Sequence, residues 1–242
     1  LASRVFDMID EPELDLRPID KLLVTTAALV HDIGHGPFSH GFEHSVIPGL
    51  GLEGREKWSH EVMGLKILEH LFDTEHIDFL NTSEISRLKQ ILTGTVPGEY
   101  RFLSQIVAND DFGFDVDRLD YLQRDSYSVG LTPGFDWTVL SSHLKVSNFT
   151  MLEGDVGSTS TRVRTLSFHE KRRPELLNFY HTRYNLFHQI YHHSTTKAVE
   201  YMIADAILES KDLIKISQAL QDVEEYLKLD DSIYNWLRCN GN

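Results

Sequence analysis

The sequence predicts a mostly α fold with one small β-hairpin insertion. Apolar residues recur at three-and-four spacing through most of the chain. Gly, Pro and carboxylates punctuate those runs where helices would start or stop. Only between Ser142 and Phe168 do β-branched and aromatic residues flank a turn-rich stretch, Gly154 to Ser160.

In chain order, Ile19, Leu22, Leu23, Thr26, Ala27, Val30 and Ile33 mark a buried helix face that should stop near Gly34 and Gly36-Pro37. Further helices are expected from about Ser59 to Phe72, Glu84 to Thr93, Tyr100 to Asn109 and Asp115 to Ser128, the last opened by carboxylates that suit a helix N-terminus. After the hairpin, Pro174 opens a long helical pattern running to about Ser210 through Leu177, Tyr180, Tyr184, Phe187 and Tyr191. An amphipathic helical tail follows from Lys211. With no repeat, low-complexity tract or linker, the chain reads as one domain, with a core over about 19–210 and a C-terminal helical extension over 211–242.

The 242 residues are 41% hydrophobic and 10% aromatic, enough for a sizeable core. No stretch approaches the roughly 20 apolar residues needed to span a bilayer, and the first residues lack a signal-peptide layout. An intracellular protein is expected, nucleus and cytoplasm being equally open. The only cysteine is Cys239, so any metal would rest on histidines and carboxylates. A net charge of -14 opposes an extended nucleic-acid grip but is compatible with a local positive pocket for a small anion. Eight of the 13 histidines crowd two stretches, His31 to His44 and His181 to His193.

The first, LVHDIGHGPFSH, sets His31 and Asp32 at the end of an apolar helix, with His35 four residues past His31 and glycines that allow close approach. An imidazole and a carboxylate side by side suit Mn, Fe, Co or Zn better than Ca or Mg. The blander alternative is a capped helix followed by polar residues. Next come His60 and Glu61 at a helix start, which alone read better as a cap with a solvated side chain. In DVDRLDYLQRD, Asp117, Asp120, Tyr121, Arg124 and Asp125 share one face, with Val116 and Leu119 packing opposite; a solvated, ion-paired face is the alternative. In the long helix, Arg183 suits phosphate recognition, whereas Tyr180, Tyr184 and Phe187 are expected in the core.

Together, LVHDIGHGPFSH, WSHE, DVDRLDYLQRDS and FYHTRYNLFHQIYHH resemble four consecutive blocks of the HD-domain deoxynucleoside triphosphate triphosphohydrolases. Within that family they resemble the antiviral enzymes that couple a SAM domain to an HD domain. The likeness covers about Leu22 to Leu237, including the tail IKISQALQDVEEYLKLDDSIY. It implies an HD-type helical fold and cleavage of dNTPs to deoxynucleoside and inorganic triphosphate. The resemblance also assigns roles by position. His31, Asp32 and Asp117 match metal ligands for one divalent transition metal (Zn, Fe or Mn), with Mg on the triphosphate; His35 and His60 match residues at the α-phosphate, and His40 the general acid, with Glu61 beside it. Arg118 and Arg183 match triphosphate contacts, Tyr121 and Asp125 the deoxyribose, and Tyr191 the aromatic near C2′.

The family's further histidine ligand would lie upstream of Leu1, so either this chain is a piece of a longer protein or the site is incomplete; the first is favoured because every other block is present. At the family's nucleotide-activator positions Lys171 and His193 match, but Val139, His169, Gln189 and Ser194 replace basic residues. The resemblance thus implies a homo-oligomer, dimer or tetramer, whose activation by nucleotides is altered or absent. Two other readings stay open: an HD phosphohydrolase of nucleoside monophosphates or cyclic nucleotides, which would not need both Arg118 and Arg183, and a non-catalytic nucleotide-binding HD protein.

Overall fold

The computed structural model describes residues 1–9, 14–51, 58–75, 77, 79–142, 144–152 and 160–240. It is a helical protein with one two-stranded antiparallel sheet among the described residues. The chain divides into two compact units, each built from two separate stretches: Leu1–Leu29 with Leu80–Gln189, and Val30–Phe79 with Ile190–Asn242. No described helix is long and apolar enough to cross a membrane.

In the first unit the helix Pro18–Val30 buries Leu23, Val24 and Ala27, and its first-turn Asp20, fully buried, is paired with Arg87 at 2.5 Å. Asn81 and Glu84 form a reciprocal cap for Thr82–Leu92. Asp115 caps Val116–Ser128, accepting from Arg118 N at 2.8 Å, and Val116 and Leu119 are buried as the pattern requires. Strands Leu144–Leu152 and Ser160–Phe168 pair with Leu144 opposite Phe168 and Val146 opposite Leu166. The turn expected at Gly154–Ser160 lies, but for Ser160, outside the described residues.

Gln105 ties that hairpin to the helix Phe102–Val107. Its side chain is 3% exposed; its oxygen accepts from Leu166 N at 2.9 Å and Thr165 Oγ1 at 3.0 Å, while its nitrogen donates to Asp111. Gln105→Ala would leave the Leu166 N–H buried without an acceptor, and is expected to cost about 2 kcal/mol. A fall in the urea midpoint at unchanged slope checks it.

Two expectations are corrected: one unbroken helix from Pro174, and the burial of Tyr184 in the core. The long helix from Pro174 is not continuous. It runs Arg173–Leu186, loosens into a π-type turn at Phe187–Tyr191, and restarts at Ser194–Glu209, with His193 capping through its ring nitrogen. Its core face is Phe179, Thr182 and Leu186; Tyr180 is half-buried, Phe187 partly buried, and Tyr184 is 67% exposed. The tail is a series of short helices, broken first where Lys215 takes a left-handed φ of 58°.

The second unit closes over Phe42, Met63, Ile67, Ile207, Ile216 and Tyr226. Its helix His60–Thr74 is capped by Ser59, whose hydroxyl accepts from Val62 N at 3.3 Å.

Candidate functional site

The second unit holds His31, Asp32, His35, His40 and His60. The helix from Pro18 ends at Val30, so His31 and Asp32 stand on the turn after it and His35 is no longer on a helical face. His31 Nε2 lies 3.4 Å from one Asp32 oxygen, and His35 Nε2 lies 3.6 Å from the other. Gly34 makes the turn possible. A Cβ there would fall 1.9 Å from the His60 carbonyl oxygen and 2.3 Å from Gly64 N, so only glycine lets the loop lie against the helix His60–Thr74.

That approach stacks the His35 ring on His60, with centroids 4.0 Å apart and planes 12° apart. His40 meets His35 edge-on at 4.9 Å and lies parallel to His44 at 5.5 Å. Between His35 and His40 the backbone passes through two consecutive non-glycine left-handed residues, Phe38 (φ 60°) and Ser39 (φ 48°). Each such residue costs roughly 1–2 kcal/mol.

The side-chain partner of His60 is Glu43, a residue the sequence reading did not single out, while Glu61, which the resemblance matches to a place beside the general acid His40, is exposed. Glu43 Oε2 is 2.6 Å from His60 Nδ1, and Oε1 accepts from His60 N at 3.4 Å. Burial alone would raise the Glu43 carboxyl, but the hydrogen bond and charge of His60 hold it below its ordinary value. In a neutral His60 whose Nδ1 donates to this carboxylate, the lone pair lies on Nε2. The signal for Glu43 was its place three residues past His40 in the same histidine-rich stretch.

Two groups here could hold a metal ion: Asp32, His35 and His60, and His35, His40 and Glu43, the ligand atoms of each lying within 4.8 Å of one another. The donors fit a borderline transition metal, being imidazole nitrogens with one carboxylate. His35 Nδ1 is buried with no hydrogen-bond partner among the described residues. Burial, with His60 and His40 nearby, pushes the His35 imidazole down to about 4 from 6.5, against the pull of Asp32 and Glu43. The unfolded chain therefore takes up the proton first, and stability is lost as pH falls from 6.5 through about 4. The expected loss is about 1–2 kcal/mol after allowing for solvent screening of a half-buried ring. Urea unfolding of wild type and His35→Asn between pH 7 and 5 checks it: the slope should flatten in the variant.

The first unit holds another set. Tyr121 is partly buried; burial pushes its hydroxyl up, against a hydrogen bond from Arg183 and the charge of Arg118. Arg183 also lies over the Phe187 ring at 4.8 Å, and its Nε is buried without a hydrogen-bond partner among the described residues. Arg118 is paired with Asp115 and donates to the Asn109 carbonyl at 3.3 Å. Burial raises the Asp115 carboxyl to about 6, against Arg118 and two backbone N–H groups, which still leaves it ionised at neutral pH. Asp117 sits partly buried in the first turn of Val116–Ser128. Asp120 and Asp125 both pair with Arg124, at 3.2 and 3.3 Å.

Tyr191 is partly buried at the end of the π-type turn. Lys171 is exposed, its backbone N–H donating to His169 Nδ1 at 3.2 Å, and His193 is occupied as a helix cap.

The family model for the HD domain matches residues 2–125, a span that includes the His31-Asp32 pair, His60 and Asp117. The chain belongs to the HD-domain family. Among curated HD-domain relatives, the deoxynucleoside triphosphate triphosphohydrolase SAMHD1 homolog of Dictyostelium discoideum is 35% identical over 236 residues, 96% of this chain and 42% of the relative. The deoxynucleoside triphosphate triphosphohydrolase SAMHD1 of Gallus gallus is 31% identical, covering 93% of this chain and 39% of its own. The Homo sapiens protein of the same name is 29% identical, with the same shares. The HD chain thus spans about two fifths of the length of these relatives.

Proposed function

We propose that the protein hydrolyses deoxynucleoside triphosphates to deoxynucleoside and inorganic triphosphate with the help of a divalent metal. The observation that carries this reading is the packing of His35, His40, His60, Asp32 and Glu43 around one glycine-built turn, in a chain whose relatives bear the name of that activity.

His31 and Asp32 are the proposed ligands in the second unit, with Asp117 of the first unit assigned to the same role by the resemblance alone. Zn, Fe or Mn bound there would lend Lewis acidity to a phosphoryl oxygen and to water, with Mg accompanying the triphosphate. In the reaction, water attacks the α-phosphorus, the bond from phosphorus to the 5′-oxygen breaks, and a proton must reach that oxygen. His40, exposed at the surface of the cluster, is the proposed donor. His35 and His60 face the α-phosphate in this reading, and the Glu43 bond fixes which nitrogen of His60 can accept. Arg118 and Arg183 offer the charge that an acidic protein needs to hold a polyanion, while Tyr121, Asp125 and Tyr191 contact the sugar. A homo-oligomer with altered or absent nucleotide activation belongs to the same reading, Lys171 and His193 being the retained activator positions.

The test is to incubate full-length protein with each dNTP and Mn, Fe or Mg and to resolve the products. Deoxynucleoside with intact triphosphate, lost in Asp117→Ala, is the expected result. Orthophosphate, pyrophosphate or no product would overturn the reading and turn attention to monophosphates, cyclic nucleotides or binding alone.

A further inference from the structure

The histidine loop is held from a part of the chain beyond the HD match, which ends at residue 125. Tyr226 is 2% exposed, tilted against Trp58 at 6.2 Å, and its hydroxyl donates to the Gly34 carbonyl at 2.8 Å. Further along, Asp231 Oδ1 accepts from the Phe38 N–H at 2.8 Å. Gly34 and Phe38 bracket His35, and Phe38 is the first of the two left-handed residues that lead to His40. A backbone in that region persists only where its surroundings hold it.

The aim of Asp231 is itself fixed. Asp230 Oδ1 accepts from Ser232 N at 2.9 Å, closing a side-chain turn around it. Leu229 before it, and Ile233 and Leu237 after it, pack into the core of the same unit. The tail therefore presents one hydroxyl and one carboxylate to two backbone groups of a loop nearly two hundred residues earlier, separations of 192 and 193 positions.

We infer that Tyr226 and Asp231 are positioning residues for the reaction: acting through Gly34 and Phe38, they hold the 34–40 loop in the shape that stacks His35 on His60 and sets His40 beside them. For its activity arm alone the inference rests on the proposed phosphohydrolase function. A purely structural contact would lower thermal stability and leave the kinetics alone, so the kinetic and metal-binding readouts separate the two roles.

The experiment compares full-length wild type with Tyr226→Phe, Asp231→Ala and Asp231→Asn. Phenylalanine keeps the ring against Trp58 and removes only the hydroxyl; asparagine keeps an oxygen that can accept from Phe38. In Tyr226→Phe and Asp231→Ala, kcat and the affinity for Mn(II) are each expected to fall about tenfold, the scale at which partners of ligating residues act, with KM within about twofold. Hydrogen exchange at the Phe38 amide should quicken in Asp231→Ala, and Asp231→Asn should restore exchange, kcat and Mn(II) affinity. For either residue, a loss of melting temperature with wild-type kcat and Mn(II) affinity overturns its assignment. Failure of asparagine to rescue Asp231→Ala does the same for Asp231. Should the wild type turn over no dNTP, the substrate reading falls, and Mn(II) affinity and Phe38 exchange judge the positioning role by themselves.

Discussion

Under the proposed function, full-length protein carrying Asp32→Ala is expected to lose dNTP hydrolysis by about a thousandfold or more, with its fold intact. The Asp32 side chain is 54% exposed and lies within 3.6 Å of ring nitrogens on both His31 and His35, so it supports the cluster and contributes nothing to the core. Removing a surface carboxylate should move stability by no more than about 0.5 kcal/mol. Removing a group that gathers the proposed metal-site nitrogens would forfeit several kcal/mol of charge stabilisation at the transition state, and about 4 kcal/mol corresponds to three orders of magnitude in rate. Product chromatography beside a thermal melt measures both numbers together. Turnover within tenfold of wild type would show that Asp32 is not a ligand, and a collapsed melt would show that it is structural.

Gly34→Ala is expected to have the opposite signature, an unfolding effect that carries the activity with it. The new methyl would fall 1.9 Å from the His60 carbonyl oxygen and 2.8 Å from Gly64 Cα, both backbone atoms that no rotamer change can clear. Overpacking of side chains costs about 1–3 kcal/mol, and a clash with backbone on a packed helix should exceed about 3 kcal/mol. Gly64→Ala is the informative control. Outside its own helix the new methyl would meet Gly34 N first, at 3.5 Å, an ordinary contact, and alanine favours a helix by about 1 kcal/mol over glycine. Urea unfolding should therefore place the two alanine variants on opposite sides of wild type. If both unfold alike, the close approach of loop and helix is not what requires Gly34.

Features that depend on near neighbours were legible in the sequence. The carboxylates that open DVDRLDYLQRD include Asp115, the cap itself, and the period of Val116 and Leu119 gave the buried face of that helix. The hairpin between residues 142 and 168 followed from a change of residue type, and HD next to a glycine-rich loop located the histidine cluster. The break at His193 was not legible, because aromatic and histidine residues carry the helical pattern across it with no glycine or proline to mark a stop. Lys215 likewise turns left-handed without glycine. Glu43 was not legible as the partner of His60, which lies 17 positions further along the chain. Tyr226 and Asp231 were beyond any local pattern, since what distinguishes them is a contact with a loop at the other end of the chain.

The discontinuous make-up of the second unit also has a consequence for how the protein is born. Ile207, Ile216 and Tyr226 complete a core that Phe42, Met63 and Ile67 begin, yet the whole Leu80–Gln189 stretch lies between them in the chain. At the usual pace of translation that interval lasts roughly 5–20 s. During it the nascent chain carries the histidine loop on an unfinished apolar surface, without the tail that closes it. Arrest or premature termination in that window would release an aggregation-prone fragment that holds the HD pair but not its supports, so the emergence of Ile207 to Tyr226 from the ribosome sets when the cluster can first take shape.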